Sequence, residues 1–498
     1  MMHDAPQVDN GLPEGWVWTT LGEVTNAQSG VGFPKAYQGR TEGSFPFAKV
    51  ADISTAFKSN NGVLFTAANY LDEVEAEELR AKVFPVGSTM FAKIGEAVKL
   101  NRRALNFVPI LADNNVMGLI PKPGVVASKL IYYFMMTVEL GELSQATTVP
   151  SVRKSDIVQI SVPLAPLPEQ HRIVAEIETQ FTRLDAGVAA LKRVQANLRR
   201  YKASVLKAAC EGRLVPTEAE LASQEGRDYE PADVLLQRIL AERRARWEAE
   251  NPKKKYNEPA APDTDGLPAL PEGWVWATVE QLAAHEPNSI TDGPFGSKLK
   301  TEHYLDEGPR VIRLQNIGDG VFNNEFAHIS WDHFETLKRH SVFSGDLVIA
   351  ALGASLPRSC IIPEYVGPAI VKADCIRFQP HPGLADASYL NSALNSDVTK
   401  KTAAAIVHGI GRPRLNQQEV KSLPIPLPPR AEQERITAEI ERRLSVVHEV
   451  EATVAANLKR AERLRQSILK RAFEGRLVAQ DPNDEPASAL LGRIRLGL

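Results

Sequence analysis

The chain is short of cysteine, of surplus charge and of long apolar runs. Its three cysteines, Cys210, Cys360 and Cys375, show no CxxC spacing in 498 residues. That excludes a disulfide framework and a cysteine zinc site, and fits a reducing, cytoplasmic setting. Lys and Arg number 58 against 61 Asp and Glu, a formal net charge of −3. A whole-chain cationic footprint is therefore missing. No run of about 18 apolar residues occurs, which excludes a membrane-spanning helix. Met1-Met2-His3-Asp4 has neither a basic nor an apolar region, so no secretory signal is expected. Catalytic motifs are missing too. There is no phosphate loop, and Gly30-Val31-Gly32 is followed by Lys35 where a dinucleotide fingerprint needs Gly. Asn251-Pro252 continues into lysines and Asp481-Pro482 into Asn483, so neither gives Asn/Asp-Pro-Pro-Tyr. The ten histidines lack metal-ligand spacing. The chain is expected to be non-catalytic and to hold no metal or cofactor of its own.

What is present is a repeat. Leu12-Pro13-Glu14-Gly15-Trp16-Val17-Trp18 returns as Leu270-Pro271-Glu272-Gly273-Trp274-Val275-Trp276, a shift of 258. Glu169-Gln170 with Arg172-Ile173 returns as Glu432-Gln433 with Arg435-Ile436, a shift of 263. Glu211-Gly212-Arg213-Leu214-Val215 returns from Glu474 to Val478 at the same shift. Glu230-Pro231-Ala232 likewise matches Glu485-Pro486-Ala487. The period is too long for a solenoid. It implies two tandem copies of a globular module, a long helix and a short helix, arranged with pseudo-two-fold symmetry.

The proline-rich segments Pro163–Pro168 and Pro426–Pro429 are expected to be extended straps that end each module. Beyond them, Ile177, Leu184, Leu191, Leu198 and Val205 recur every seven residues. Phe181 and Val188, then Val194, Tyr201 and Ala208, form a companion seam. In the second copy Ile440, Val447, Val454, Ala461 and Ile468 make the seam, beside Leu444, Val450, Leu458 and Leu464. Such a narrow stripe calls for one partner helix, so the two helices are expected to pair antiparallel. Gly212 and Gly475 mark their C-terminal ends. The expected fold is α+β: modules at 1–160 and 266–424, long coiled-coil helices at 161–215 and 425–479, a connector at 216–265 and a tail at 480–498. Pro231–Glu250 reads as an Arg-rich helix whose arginines have no evident partner in the chain. Lys253-Lys254-Lys255 reads as a solvated linker.

Neither module is basic: 14 Lys/Arg face 16 Asp/Glu in 1–160, and 14 face 17 in 266–424. Local clusters are the candidates for nucleic-acid contact. In the first module they are Lys49, Lys93, Lys99, Arg102 and Arg103. In the second they are Lys298, Arg313, Gln315, Arg358, Arg412 and Arg414. Phe45–Ile53 and Arg310–Ile317 look like equivalent strands at a shift of 264, as do Gly87–Gly95 and Gly345–Gly353 at 258. Alternation along 310–317 puts Arg313 and Gln315 on one strand face, where Arg grips guanine and Gln grips adenine. A solvated strand face explains the same alternation equally well.

The chain resembles the specificity subunits of type I restriction–modification systems. The resemblance is carried by the Leu-Pro-Glu-Gly-Trp openings, the Glu-Gln-x-Arg-Ile starts of the long helices, the Glu-Gly-Arg-Leu-Val ends and the Thr291-Asp292-Gly293-Pro294-Phe295-Gly296-Ser297 loop. The first strap departs from the Pro-Leu-Pro pattern, reading Pro163-Leu164-Ala165. The resemblance implies two target recognition domains, each reading half of a split, asymmetric site in double-stranded DNA. It implies docking of two modification subunits that use S-adenosylmethionine to methylate adenine N6. It also implies an ATP- and magnesium-dependent restriction–translocase subunit. A methylation-only system, or a coiled-coil docking scaffold without DNA, are the alternatives.

Overall fold

A computed structural model describes residues 11–144, 149–409 and 411–495. The N-terminal signal question (Met1–Asp4) lies outside them. The chain divides into two compact units. The first joins residues 1–192 to 455–498, and the second is 193–454. Each unit therefore combines one module, the first half of its own long helix and the last half of the other copy's helix.

In the first unit a five-stranded sheet runs in the order Thr25–Ser29, Val116–Pro121, Thr89–Ala92, Arg103–Asn106, Val63–Leu64. A three-stranded sheet places Phe45–Ala48 between Tyr70–Leu71 and Leu111–Ala112, parallel to the latter. In the second unit the order Ile290–Asp292, Cys375–Phe378, Leu347–Ala350, Arg358–Ile361 repeats four of the five strands. Leu305–Ile312 again pairs in parallel, with Ala369–Val371. The central strands Thr89–Ala92 and Leu347–Ala350 keep the 258-residue shift.

The strands expected over Phe45–Ile53 and Arg310–Ile317 are shorter than the alternation suggested. The first ends at Ala48 and gives way to a helix, Val50–Ser59. The second ends at Ile312 and gives way to a 3-10 turn, Leu314–Asn316. A local hydrogen bond stops each strand. The Lys49 N–H donates to Asp52 Oδ2 (2.8 Å) and the Arg313 N–H to Asn316 Oδ1 (2.9 Å). A side-chain acceptor three residues on favours a helical turn over a continued ladder. Arg313 and Gln315 therefore do not share a strand face.

The straps are extended as expected, and only the last two residues of the first, Leu167 and Pro168, prove helical. Ser161–Leu164 and Pro424–Leu427 are strands, paired antiparallel with Val17–Thr20 and Val275–Thr278. The first long helix already starts at Leu167, because proline is tolerated in a first turn whose N–H groups have no intrahelical acceptor. It runs Leu167–Cys210 and its repeat Arg430–Phe473, 44 residues each, roughly 66 Å. Gly212 and Gly475 follow at φ 64° and 66°, the left-handed stop.

In the first unit the long-helix segments run antiparallel. Arg172 pairs with Asp484 beyond the end of the second helix, and Asp185 with Arg465 within it. The guanidinium of Arg465 also lies over the Phe181 ring, 4.3 Å from its centroid. In the second unit Val205, Leu206, Ala209 and Cys210 share a core with Ile436 and Ile440. Ile177, Val205, Ile440, Val447, Val454 and Ala461 are buried. Leu184, Leu191, Leu198 and Ile468 are half-buried. The companion seam is overturned in part: Val194, Tyr201 and Leu464 are exposed. A 3.6-residue helix drifts about 20° per heptad, which carries a second stripe away from a single partner. The connector helix, Ala232–Glu250, is likewise not unpartnered. It buries Leu235, Leu236 and Ile239, and its Arg238, Arg244 and Arg246 pair with glutamates.

Candidate nucleic-acid interface

The repeated motifs build the frame of each unit. Gln170, fully buried, donates to the carbonyls of Val125 (3.0 Å) and Ala165 (2.9 Å) and accepts the Ala127 N–H (2.8 Å). Gln433 donates to Leu384 (3.1 Å) and Pro428 (2.9 Å) and accepts the Asp386 N–H (2.7 Å). The motif arginines do matching work: Arg172 binds Asp484 and Arg435 binds Glu218, both at 2.6 Å. The glycine of each opening accepts from the start of a short helix, Ala487 N–H to Gly15 and Ala232 N–H to Gly273, both 2.8 Å. A Cβ on Gly475 would overlap the Pro13 ring, and one on Gly212 the Pro271 ring. The sequence pattern flagged these residues, but their role as a clamp between helix and module needed the fold.

The frame holds one loop-bearing sheet end per module. In the second module, Ile312 and Val371 are paired, and the Lys372 N–H donates to the Ile312 carbonyl at 2.9 Å. That brings Arg313 and Lys372 together around Tyr304. The Lys372 amine donates to Tyr304 Oη (2.9 Å), and the Arg313 guanidinium lies 5.8 Å from the ring centroid. Gly293 packs its Cα against the 371–373 backbone, which leaves no room for a side chain. The loop this creates sets half-exposed Phe295 beside Arg414, which pairs with Asp374 at 2.7 Å. Lys298 and Arg412 are exposed on neighbouring loops, and Arg358 is half-buried at the start of its strand. Cations, an aromatic and loop backbone thus converge where a polyanion can reach them.

The first module builds the same end with different chemistry. The Asp113 N–H donates to the Ala48 carbonyl at 2.9 Å, as Lys372 does to Ile312, so an acid stands where the second module has a cation. Asp113 is held by Asn115 through its N–H (2.8 Å) and Nδ2 (2.7 Å). Lys49 lies over the Phe33 ring at 4.3 Å, and the Lys93 amine donates to Ser29 Oγ at 3.1 Å.

The other three expected contacts of this module lie elsewhere. Lys99 is exposed and paired with Glu96 at 3.1 Å, and Arg102 is half-buried. Leu100 and Asn101, between them, line a groove of about 1110 Å³ with Tyr132, Phe181 and Asp185. Arg103 is a correction: it is fully buried and cannot touch DNA. Its Nη2 donates to the Val138 carbonyl, and burial pushes its guanidinium down to about 10. Strand register pairs it with Phe91, at the place Ser359 holds opposite Ile349, so it serves the contact between sheet and helix. The sequence missed Tyr304, Phe295, Lys372 and Asp374 in the second module, and Asp113 in the first, because their places at the sheet ends depend on contacts across tens of residues.

These features define a tandemly repeated α+β protein, with two modules of one frame and long helices that serve both. Residues 13–190 match the family model described as the type I restriction modification DNA specificity domain. The chain is 24% identical over 387 residues to the type I restriction enzyme EcoDI specificity subunit of Escherichia coli, covering 75% of this chain and 77% of that one. It is 21% identical to the EcoKI specificity subunit of Escherichia coli (strain K12), over 97% of this chain and 96% of that one. Among solved structures, a chain from the study of complex assembly and conformational transition of the type I R-M system superposes with a TM-score of 0.59. It shares 20% identity, and the match covers 93% of this chain and 99% of that one. The match to the DNA specificity domain thus spans the first module and the start of its helix. The chain as a whole is similar in sequence to type I specificity subunits and in fold to a chain of a type I R-M system.

Proposed function

We propose that the chain is the sequence-reading, non-catalytic specificity subunit of a cytoplasmic type I restriction–modification complex. Each module reads one half of a split DNA site at its loop-bearing sheet end. The observation that carries this reading is one frame presented twice with different side chains at the same end: Lys49 with Asp113 in one copy, Arg313 with Lys372 in the other. A scaffold that bound one partner twice would have no need of that divergence. Two modification subunits dock on the long helices and bring S-adenosylmethionine, and a restriction subunit brings ATP and magnesium. Modules without net positive charge suit weak binding alone and tight binding once partners add cationic surface.

The test is salt-dependent binding to bipartite duplexes, with and without the modification subunits. Specific binding that strengthens in the complex supports the reading. An assembled complex with no preference among duplexes contradicts it and favours a docking scaffold. Neighbouring genes for a nuclease–translocase separate restriction from methylation-only systems.

A further inference from the structure

Arg313 and Gln315 form a unit in which only one of them faces outward. The Arg313 Nη2 donates to the Phe326 carbonyl at 2.9 Å, and its buried Nε has no partner among the described residues. With its amide oxygen turned toward the guanidinium, Gln315 accepts from Nη1 (3.1 Å) and Nη2 (3.0 Å) of Arg313. The opposite orientation would set its NH2 group against N–H donors, so the hydrogen-bond network fixes the amide. Three of the four terminal N–H groups of Arg313 are thereby engaged, which leaves no pair of donors to grip guanine bidentately. Gln315 is exposed, and its backbone is held: its carbonyl accepts from Asn323 Nδ2 at 3.0 Å, within the turn that Asn316 caps.

The consequence is chemical. A free glutamine pairs with adenine by accepting from N6 and donating to N7. An amide oxygen has two lone pairs, and here both meet Arg313. What Gln315 offers outward is its NH2 group, a donor only. Guanine presents two acceptors in the major groove, N7 and O6, which one NH2 group can bridge, whereas adenine pairs its N7 with an N6 donor, thymine offers the single acceptor O4 beside a methyl group and cytosine shows only a donor. Resting on the reading that this module binds half of a DNA site, we infer that Arg313 is a positioning residue and that Gln315 selects guanine at one position of the second half-site. The device belongs to this module. At the 264-residue shift, Lys49 stands for Arg313 but Ala51 for Gln315, with no polar group to present.

The test uses the full chain assembled with its modification subunits and a selection from duplexes randomised in both half-sites. Q315E keeps the shape, removes the donors and leaves an acceptor that still pairs with Arg313. It is expected to lose a guanine preference of about tenfold at one second-half position, with the first half unchanged. R313M frees the amide to turn, and the same position is expected to accept adenine as well as guanine. Unchanged second-half selection in both variants overturns the inference while leaving DNA reading intact. So does adenine in the wild-type motif at the position Q315E alters. A wild-type complex that selects no sequence overturns the underlying reading instead.

Discussion

The two modules differ at their sheet ends and agree everywhere that holds those ends in place. Gln170 and Gln433 make the same three hydrogen bonds, while the residue after the parallel strand is Asp113 in one copy and Lys372 in the other. The lesson is a separation of tasks. Residues that bury polar groups in the frame cannot change without leaving donors and acceptors unpaired. Residues on loops above the frame can change freely, because solvent or a ligand satisfies them.

The largest expected effect comes from breaking the shared part. Q170L and Q433L each leave one backbone N–H and two carbonyls without partners. At roughly 1–3 kcal/mol per unpaired group, each should destabilise its own unit by about 3 kcal/mol or more. Hydrogen exchange resolved by segment reads this, with protection lost in one unit per variant. Equal loss in both units from either change would mean that the copies are not separate frames.

The buried acid beside each clamp gives the next effect. Burial pushes the Glu432 carboxyl up from 4.5 to about 7, and burial also raises Glu169. Between about pH 4.5 and 7 the folded chain keeps a proton that the unfolded chain releases. Stability contributed by this group is therefore highest at low pH, falls as pH rises through that window and is level above it. E432Q keeps an acceptor for the Glu218 N–H and has no charge to bury. It should flatten this part of the pH–stability curve and raise the melting temperature at pH 8. A curve unchanged in shape would show that Glu432 is not the buried proton.

Lys298 sharpens the comparison on the variable side. K298A should weaken binding across sequences and reduce the salt slope by about 1, the signature of one lost phosphate contact. A change of motif instead would make it a base reader. The smallest effect belongs to Arg103. R103M removes a buried cation, two of whose nitrogens have no partner among the described residues, and leaves the Val138 carbonyl unpaired, so stability should move by about 1 kcal/mol or less. DNA binding should stay the same, and weakened binding without unfolding would restore Arg103 to the interface.

The architecture was legible because it is written as a repeat and as a heptad. The shifts of 258 and 263 located both frames, and the seven-residue spacing found Ile177, Val205, Ile440 and Val454, all buried. The sheet ends were only partly legible. Charge clustering grouped Lys93, Lys99, Arg102 and Arg103, yet the fold puts Lys93 at the loop end, Lys99 and Arg102 on either side of the groove residues Leu100 and Asn101, and Arg103 in the core. Alternation mistook a capped turn for a strand at Arg313 and Gln315, because the competing hydrogen bond that Asn316 accepts from the Arg313 N–H leaves no periodic trace. Asp113 and Lys372 could not be seen as counterparts, since only the parallel ladders align them.

Independent reading by the two modules is tested most directly by replacing residues 1–160 with the corresponding module of a type I specificity subunit. The chimaera is assembled with the modification subunits, and its methylated motif is read by sequencing host DNA. The expected result is a new sequence in one half of the motif, with the other half and the spacer unchanged. A motif altered in both halves, or in neither, would contradict one frame carrying two separate readers.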